Sequence, residues 1–159
     1  VTDDRSTMGF GARVAMVFAL LGGAAALSAA TLSAADAVAA RKANFKEIGG
    51  AFKAINDELK AGAPDVAKLR PPARTIVQRS HRIKDHFPAG SGPDSGLKTK
   101  ARPEIWSNQV EFGKYRQAMV ISAGAFDKAV RSGDLAAITK ARDALGTSCQ
   151  GCHNQFREK

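Results

Sequence analysis

The chain predicts an all-α fold, an antiparallel up-down-up-down four-helix bundle, on three observations. Apolar residues step by alternating threes and fours along four consecutive segments. Turn signals separate those segments. Alanine is abundant while aromatic residues make up only 6% of the chain, and Ala is the best helix former and packs closely. A period near 3.5 on neighbouring segments means helices that cross at shallow angles, and short connections make neighbours antiparallel.

Segment one carries Phe45, Ile48, Phe52, Ile55 and Leu59, with Val38 and Arg41 on the same stripe. Ala61-Gly62-Ala63-Pro64 ends it. Segment two carries Val66, Leu69, Ala73, Ile76, Ser80, Ile83 and Phe87. Pro71 and Pro72 interrupt its first turns, and because an internal proline removes a backbone donor, this helix is expected to begin properly only near Pro72. The stretch Pro88-Ala89-Gly90-Ser91-Gly92-Pro93 breaks the chain again. Arg102-Pro103 then reads as the start of segment three, since proline suits the first helical position, with Ile105, Phe112, Met119, Ala123, Phe126 and Val130 on its stripe. Gly133 stops this segment and Asp134 can cap the next. Segment four carries Leu135, Ile138, Leu145, Cys149, Cys152 and Phe156.

Residues 1–35 stand apart from this core as a leader. Arg13 precedes an apolar run from Val14 to Leu27, and small residues follow, the order of a cleavable secretory signal peptide. Ser28-Ala29-Ala30 and Ser33-Ala34-Ala35 both fit a cleavage site. Gly22, Gly23 and the alanines make the run weakly apolar for a membrane-spanning helix, so no stable anchor is expected after cleavage. The expected product is a periplasmic domain over residues 36–159. Its loss of Arg5, Arg13, Asp3 and Asp4 leaves the net charge at +9. A basic exported protein can dock on acidic partners or anionic headgroups, or simply stay soluble; nucleic acid is a poor partner for a secreted chain.

Cys149-Gln150-Gly151-Cys152-His153 has the C-x-x-C-H pattern of covalent haem attachment. Cysteines at i and i+3 leave one face of a helix, so each can bond one of two haem vinyl groups. His153 is then carried to the iron as an axial ligand. Both cysteines lie on the core-facing stripe, which takes the ring into the bundle near the C-terminal helix. A redox dithiol would sit at a helix N-terminus, and this pair does not. A zinc site would need a further ligand, for which only His81 and His86 are available. One covalent haem c is the expected cofactor.

With these residues in view, the sequence resembles the cytochromes c′, the class II c-type cytochromes. The likeness is carried by Arg41 to Gly50, by Phe87-Pro88-Ala89-Gly90, by Arg102-Pro103-Glu104-Ile105-Trp106 and by Cys149 to Arg157. It implies a four-helix bundle, usually an antiparallel homodimer, that transfers electrons or binds nitric oxide and carbon monoxide. It also implies that Phe45, four residues after Arg41, faces the distal side of the iron. The start of helix one would lie beside the end of helix four. There a charge on the apolar stripe is costly unless paired, so Arg41 either meets a haem propionate or reaches solvent.

Met119, counted back from the turn at Gly133, lies level with Cys149 and is either a core residue or a sixth iron ligand. His81 and His86 flank the stripe of segment two within a basic run and are expected at the surface. Arg157, one turn beyond His153, either bonds near the proximal ring or serves as a cation at a helix C-terminus. Three classes of function follow. The first, and the expected one, is a non-enzymatic, five-coordinate gas-binding cytochrome. The others are a six-coordinate electron shuttle using Met119 or a histidine, and a helical thiol protein without haem.

Overall fold

The structure, a computed structural model, describes residues 33–159. Helix α1 spans Ala34–Leu59, α2 Val66–Arg82, a short α3 Glu104–Ser107, α4 Gln109–Ser132 and α5 Leu135–Phe156. Single 3-10 turns at Ile83–His86 and Pro93–Ser95 punctuate the long connection after α2. Among the described residues the one extended pairing is an isolated antiparallel bridge between Ala101 and Arg157. The leader read over residues 1–35 lies outside the described residues except for Ser33, Ala34 and Ala35.

Helix boundaries follow their capping chemistry. Ser33 accepts from the Asp36 amide at the start of α1, and Asp65 accepts from Ala67 at the start of α2. Asp134 takes the amides of both Ala136 and Ala137 at the start of α5. Gly133 ends α4 with φ of 77°, a left-handed conformation that costs glycine little.

The four long helices form a ring of antiparallel neighbours. Asn44 donates to the Arg79 carbonyl while Glu58 approaches Lys68, which sets α1 against α2. Phe87, just after α2, meets Phe112 near the start of α4. Ser122 pairs with Ser148 across α4 and α5 at 2.8 Å, and Arg142 on α5 donates to Asn56 on α1 at 3.1 Å. The bundle expected from the periodicity is therefore the one formed. Its core holds Ile48, Ile55, Leu69, Ile76, Phe126, Val130, Ile138 and Leu145.

Four local expectations are corrected. Helix α2 starts at Val66 and runs unbroken through Pro71 and Pro72. The carbonyls deprived of a partner belong to Ala67 and Lys68, both exposed residues, so water can replace the missing donors. The third segment is split, because Asn108 leaves helical geometry with ψ of 62° and its side chain caps α4 afresh by accepting from Glu111. Leu135, assigned to the core stripe, is 43% exposed at the first position of α5. His86, expected at the surface, is buried because its 3-10 turn folds back against α1.

Candidate haem site

Helices α1 and α5 meet at two points that fix their register. The Cζ of Phe52 lies 3.3 Å from where a Cβ on Gly146 would stand, and Asn56 bonds Arg142 four residues further along α1. Carried along both helices residue for residue, this antiparallel register sets Gly49 level with Cys149 and Phe45 level with His153. Phe45, Gly49, Phe52 and Asn56 recur at helical spacing and so share one face. That face meets α5 at Phe52 and Asn56, one to two turns before the C-x-x-C-H motif.

Both thiols are half-buried against the core. The Cys149 Sγ lies 3.7 Å from the Sδ of buried Met119, to which the Ser148 hydroxyl also donates. Burial pushes the Cys152 thiol up to about 11, with a further push from Cys149, and burial likewise raises Cys149. Thiols held in the neutral form near the C-terminus of a helix are poor redox nucleophiles. Among the described residues no cluster of three or more histidine, cysteine or carboxylate side chains is arranged to hold a metal ion, so the zinc reading finds no ligand set. Gly151 is close-packed instead: a Cβ there would stand 3.3 Å from Tyr115 of α4.

The His153 residue is exposed and borders a recess of about 210 Å³ lined also by Asn154, Arg157, Glu158 and Lys159. Partial desolvation and the nearby Arg157 charge lower its pKa. Arg157 has left the helix: its backbone is extended, and its amide donates to the His153 carbonyl at 3.1 Å. The structure thus brings Arg157 and His153 to one recess. Phe45 is half-buried and meets Phe87 edge to face, with ring centres 6.4 Å apart.

Arg41 does not reach solvent; it is 5% exposed. Its Nε donates to the His86 carbonyl at 3.0 Å, one Nη to Thr99 Oγ1 at 3.2 Å, and the other Nη to both oxygens of Ser91 at 3.1 and 2.8 Å. The guanidinium lies 4.2 Å from the centre of the Phe87 ring and 5.3 Å from that of Trp106. Desolvation lowers its pKa to about 10, so it stays charged at neutral pH. Among the described residues no carboxylate pairs with it, and four of its five N–H donors are used. A buried cation with a donor to spare suits an anionic group of a bound ligand.

Most of this socket escaped sequence reasoning. Ser91 and Thr99 come from the loop that the sequence marks only as a turn, and the His86 carbonyl comes from the 3-10 turn that follows α2. Trp106 closes the loop by donating to the Pro88 carbonyl at 3.0 Å. Its ring lies 3.2 Å from where a Cβ on Gly92 would stand, a close approach that glycine permits.

The residues fit a covalent haem. Two thiols leave one helix a turn apart, an imidazole follows them, and the facing helix α1 carries a buried cation, Arg41, one turn before Phe45.

Comparison with known proteins agrees. A family model described as Cytochrome C′ matches residues 36–157. Cytochrome c′ of Rubrivivax gelatinosus is 32% identical over 125 residues, spanning 78% of this chain and 95% of that one. Cytochrome c-556 of Agrobacterium tumefaciens is 33% identical over 128 residues, spanning 79% and 99%. In three dimensions the fold matches cytochrome c prime from Alcaligenes xylosoxidans, solved as a ferrous variant with bound NO, with a TM-score of 0.71 and 27% identity over 79% of this chain and 97% of the other.

Proposed function

Because the chain belongs to the cytochrome c′ family, whose members carry covalently bound haem c, we propose that it is a periplasmic, five-coordinate haem protein that binds nitric oxide and carbon monoxide. The observation that supports this reading is the antiparallel α1–α5 register fixed by Phe52 against Gly146 and Asn56 with Arg142, which by extension brings Phe45 level with His153. Cys149 and Cys152 would form the two thioethers, and His153 would be the axial ligand. The haem supplies an iron centre able to bind a diatomic gas or exchange one electron.

The chain's own residues govern access. Phe45 has no lone pair and cannot ligate iron, and with Phe87 it makes the facing wall apolar. Such a wall offers no hydrogen bond to bound dioxygen and no compensation for desolvating an anion, which leaves neutral diatomics. Arg41, fixed by Ser91, Thr99 and the His86 carbonyl, would give its spare donor and its charge to a propionate. Arg157 would tune the imidazole of His153 from within their shared recess.

Met119 is the sixth-ligand candidate of the electron-shuttle alternative. Its sulfur lies against Cys149 on the α4 side and accepts from Ser148, which favours a packing role. Val110 and Ile121, exposed on α4, offer apolar surface for a homodimer. Among the described residues no helix is long and apolar enough to cross a membrane. Signal cleavage after Ala30 would preserve the Ser33 cap of α1, whereas cleavage after Ala35 would remove it. Mass spectrometry of the mature protein, expressed with a haem-maturation system, tests the assignment: the polypeptide mass plus one haem is expected, and the bare polypeptide mass would refute it.

A further inference from the structure

We infer that His86 is a positioning residue for gas entry: while its imidazole stays buried it holds Phe87 against Phe45, and a proton on it loosens that wall. The inference rests on the reading of Phe45 as the distal side and adds what controls access to it. His86 closes the 3-10 turn Ile83–His86, and Phe87 follows directly. Phe87 meets Phe45 edge to face at 6.4 Å and Phe112 of α4 at 5.0 Å. It is anchored on both sides. Arg41 of α1 donates to the His86 carbonyl at 3.0 Å and covers the Phe87 ring at 4.2 Å, while Trp106 donates to the Pro88 carbonyl at 3.0 Å. Of the two anchoring residues, His86 and Pro88, only His86 has a side chain that titrates.

The imidazole is poorly provided for in that place. His86 is 9% exposed, and its Nδ1 is buried without a hydrogen-bond partner. A charged ring would have two N–H donors to satisfy there and would lose its hydration. The charged groups that face it add to the obstacle. Arg82 and Arg79 come from α2 and Arg41 from α1, and Asp85 beside it is the one acid among them. Asp85 is already shared between Lys84 at 2.5 Å and Arg82 at 3.9 Å, while Arg79 is tied to Glu47 at 2.6 Å. Burial, the largest of these influences, lowers the pKa of the ring. A propionate on Arg41 would offset that residue's charge and leave the burial in place.

The turn has room to yield. Lys84 and Asp85 on it are exposed, and a single 3-10 turn has poorer hydrogen bonds than an α-helix, so it can open locally while the bundle stays folded. Once opened, the ring is hydrated and titrates near its ordinary value of about 6.5. The closed ring titrates lower, so the opened form binds a solvent proton more readily and acid favours it. While the closed ring stays neutral, the opened population grows about tenfold between about pH 7.5 and about pH 5.5. Only a proton is taken up, and no other bond changes.

The test is the rate of carbon monoxide binding to the ferrous, haem-loaded protein after flash photolysis, followed across that pH range at constant ionic strength. The native rate should rise toward acid by up to about tenfold. His86→Phe and His86→Gln cannot take up the proton and should stay within about twofold; either variant suffices if the other fails to fold. Of the chain's three histidines, His81 is the other one not assigned to iron, and His81→Gln, at an exposed position, should keep the native rise. Amide hydrogen exchange gives a second readout: protection over residues 84–87 should fall toward acid in the native protein and not in the His86 variants. A flat native profile, an equal rise in the His86 variants, a rise lost in His81→Gln, or a rise that tracks loss of helical circular dichroism overturns the inference. A ferrous protein that is low-spin and binds no carbon monoxide overturns instead the distal reading beneath it, and this inference with it.

Discussion

The ring of Phe52 on α1 rests against Gly146 on α5, its Cζ 3.3 Å from the place a Cβ would occupy. This contact holds the two helices in register below the candidate haem site. Gly146→Leu should push the ring aside and destabilise the protein by about 1–3 kcal/mol, the usual cost of overpacking. Gly124→Ala, at an exposed position with nothing within 4 Å of the new Cβ, should instead stabilise by about 0.5–1 kcal/mol through helix propensity. Denaturant midpoints of the two variants check the opposite signs.

Arg41→Met should cost about 3 kcal/mol. It strips the donor from the buried oxygens of Ser91 and the His86 carbonyl, and stranded buried acceptors are expensive. If the guanidinium also holds a propionate, the reduction potential of the haem-loaded variant should shift as well. Equilibrium unfolding measures the first effect and a redox titration the second.

His86 predicts a loss of stability in acid. Its burial lowers its pKa, opposed by Asp85 and reinforced by Arg82, Arg41 and Arg79. A folded pKa below the unfolded value of about 6.5 means that the unfolded chain binds the proton more readily. The stability is therefore present above about pH 6.5 and is lost as pH falls through the folded value. His86→Gln removes the titration. The denaturant midpoint of the native protein should fall more steeply between pH 7 and pH 5 than that of the variant, and parallel curves would show that His86 does not titrate on unfolding.

The bundle was legible because stripes such as Leu69, Ala73, Ile76, Ser80 and Ile83 keep a helical period that only a helix face can bury. The level of Met119 with Cys149 followed from equal counting away from Gly133. What escaped had no local signature. Nothing near Pro71 announces that the two missing donors fall on a solvated face. Nothing near His86 announces that its turn folds onto Arg41. The socket of Arg41 gathers Ser91 and Thr99 from a loop whose path depends on Trp106 and Gly92, and such long-range closure carries no period to read.

The absorption spectrum of the ferrous protein before and after carbon monoxide tests the central claim most directly. With Phe45 on the distal side, as proposed, only His153 would be a protein ligand, so the spectrum should be high-spin and should change on adding the gas. Phe45→Met, which puts a thioether at that position, should turn it low-spin and suppress the change. A sharp low-spin spectrum of the native protein, unmoved by carbon monoxide, would contradict the account and make Met119 the first candidate for the sixth ligand.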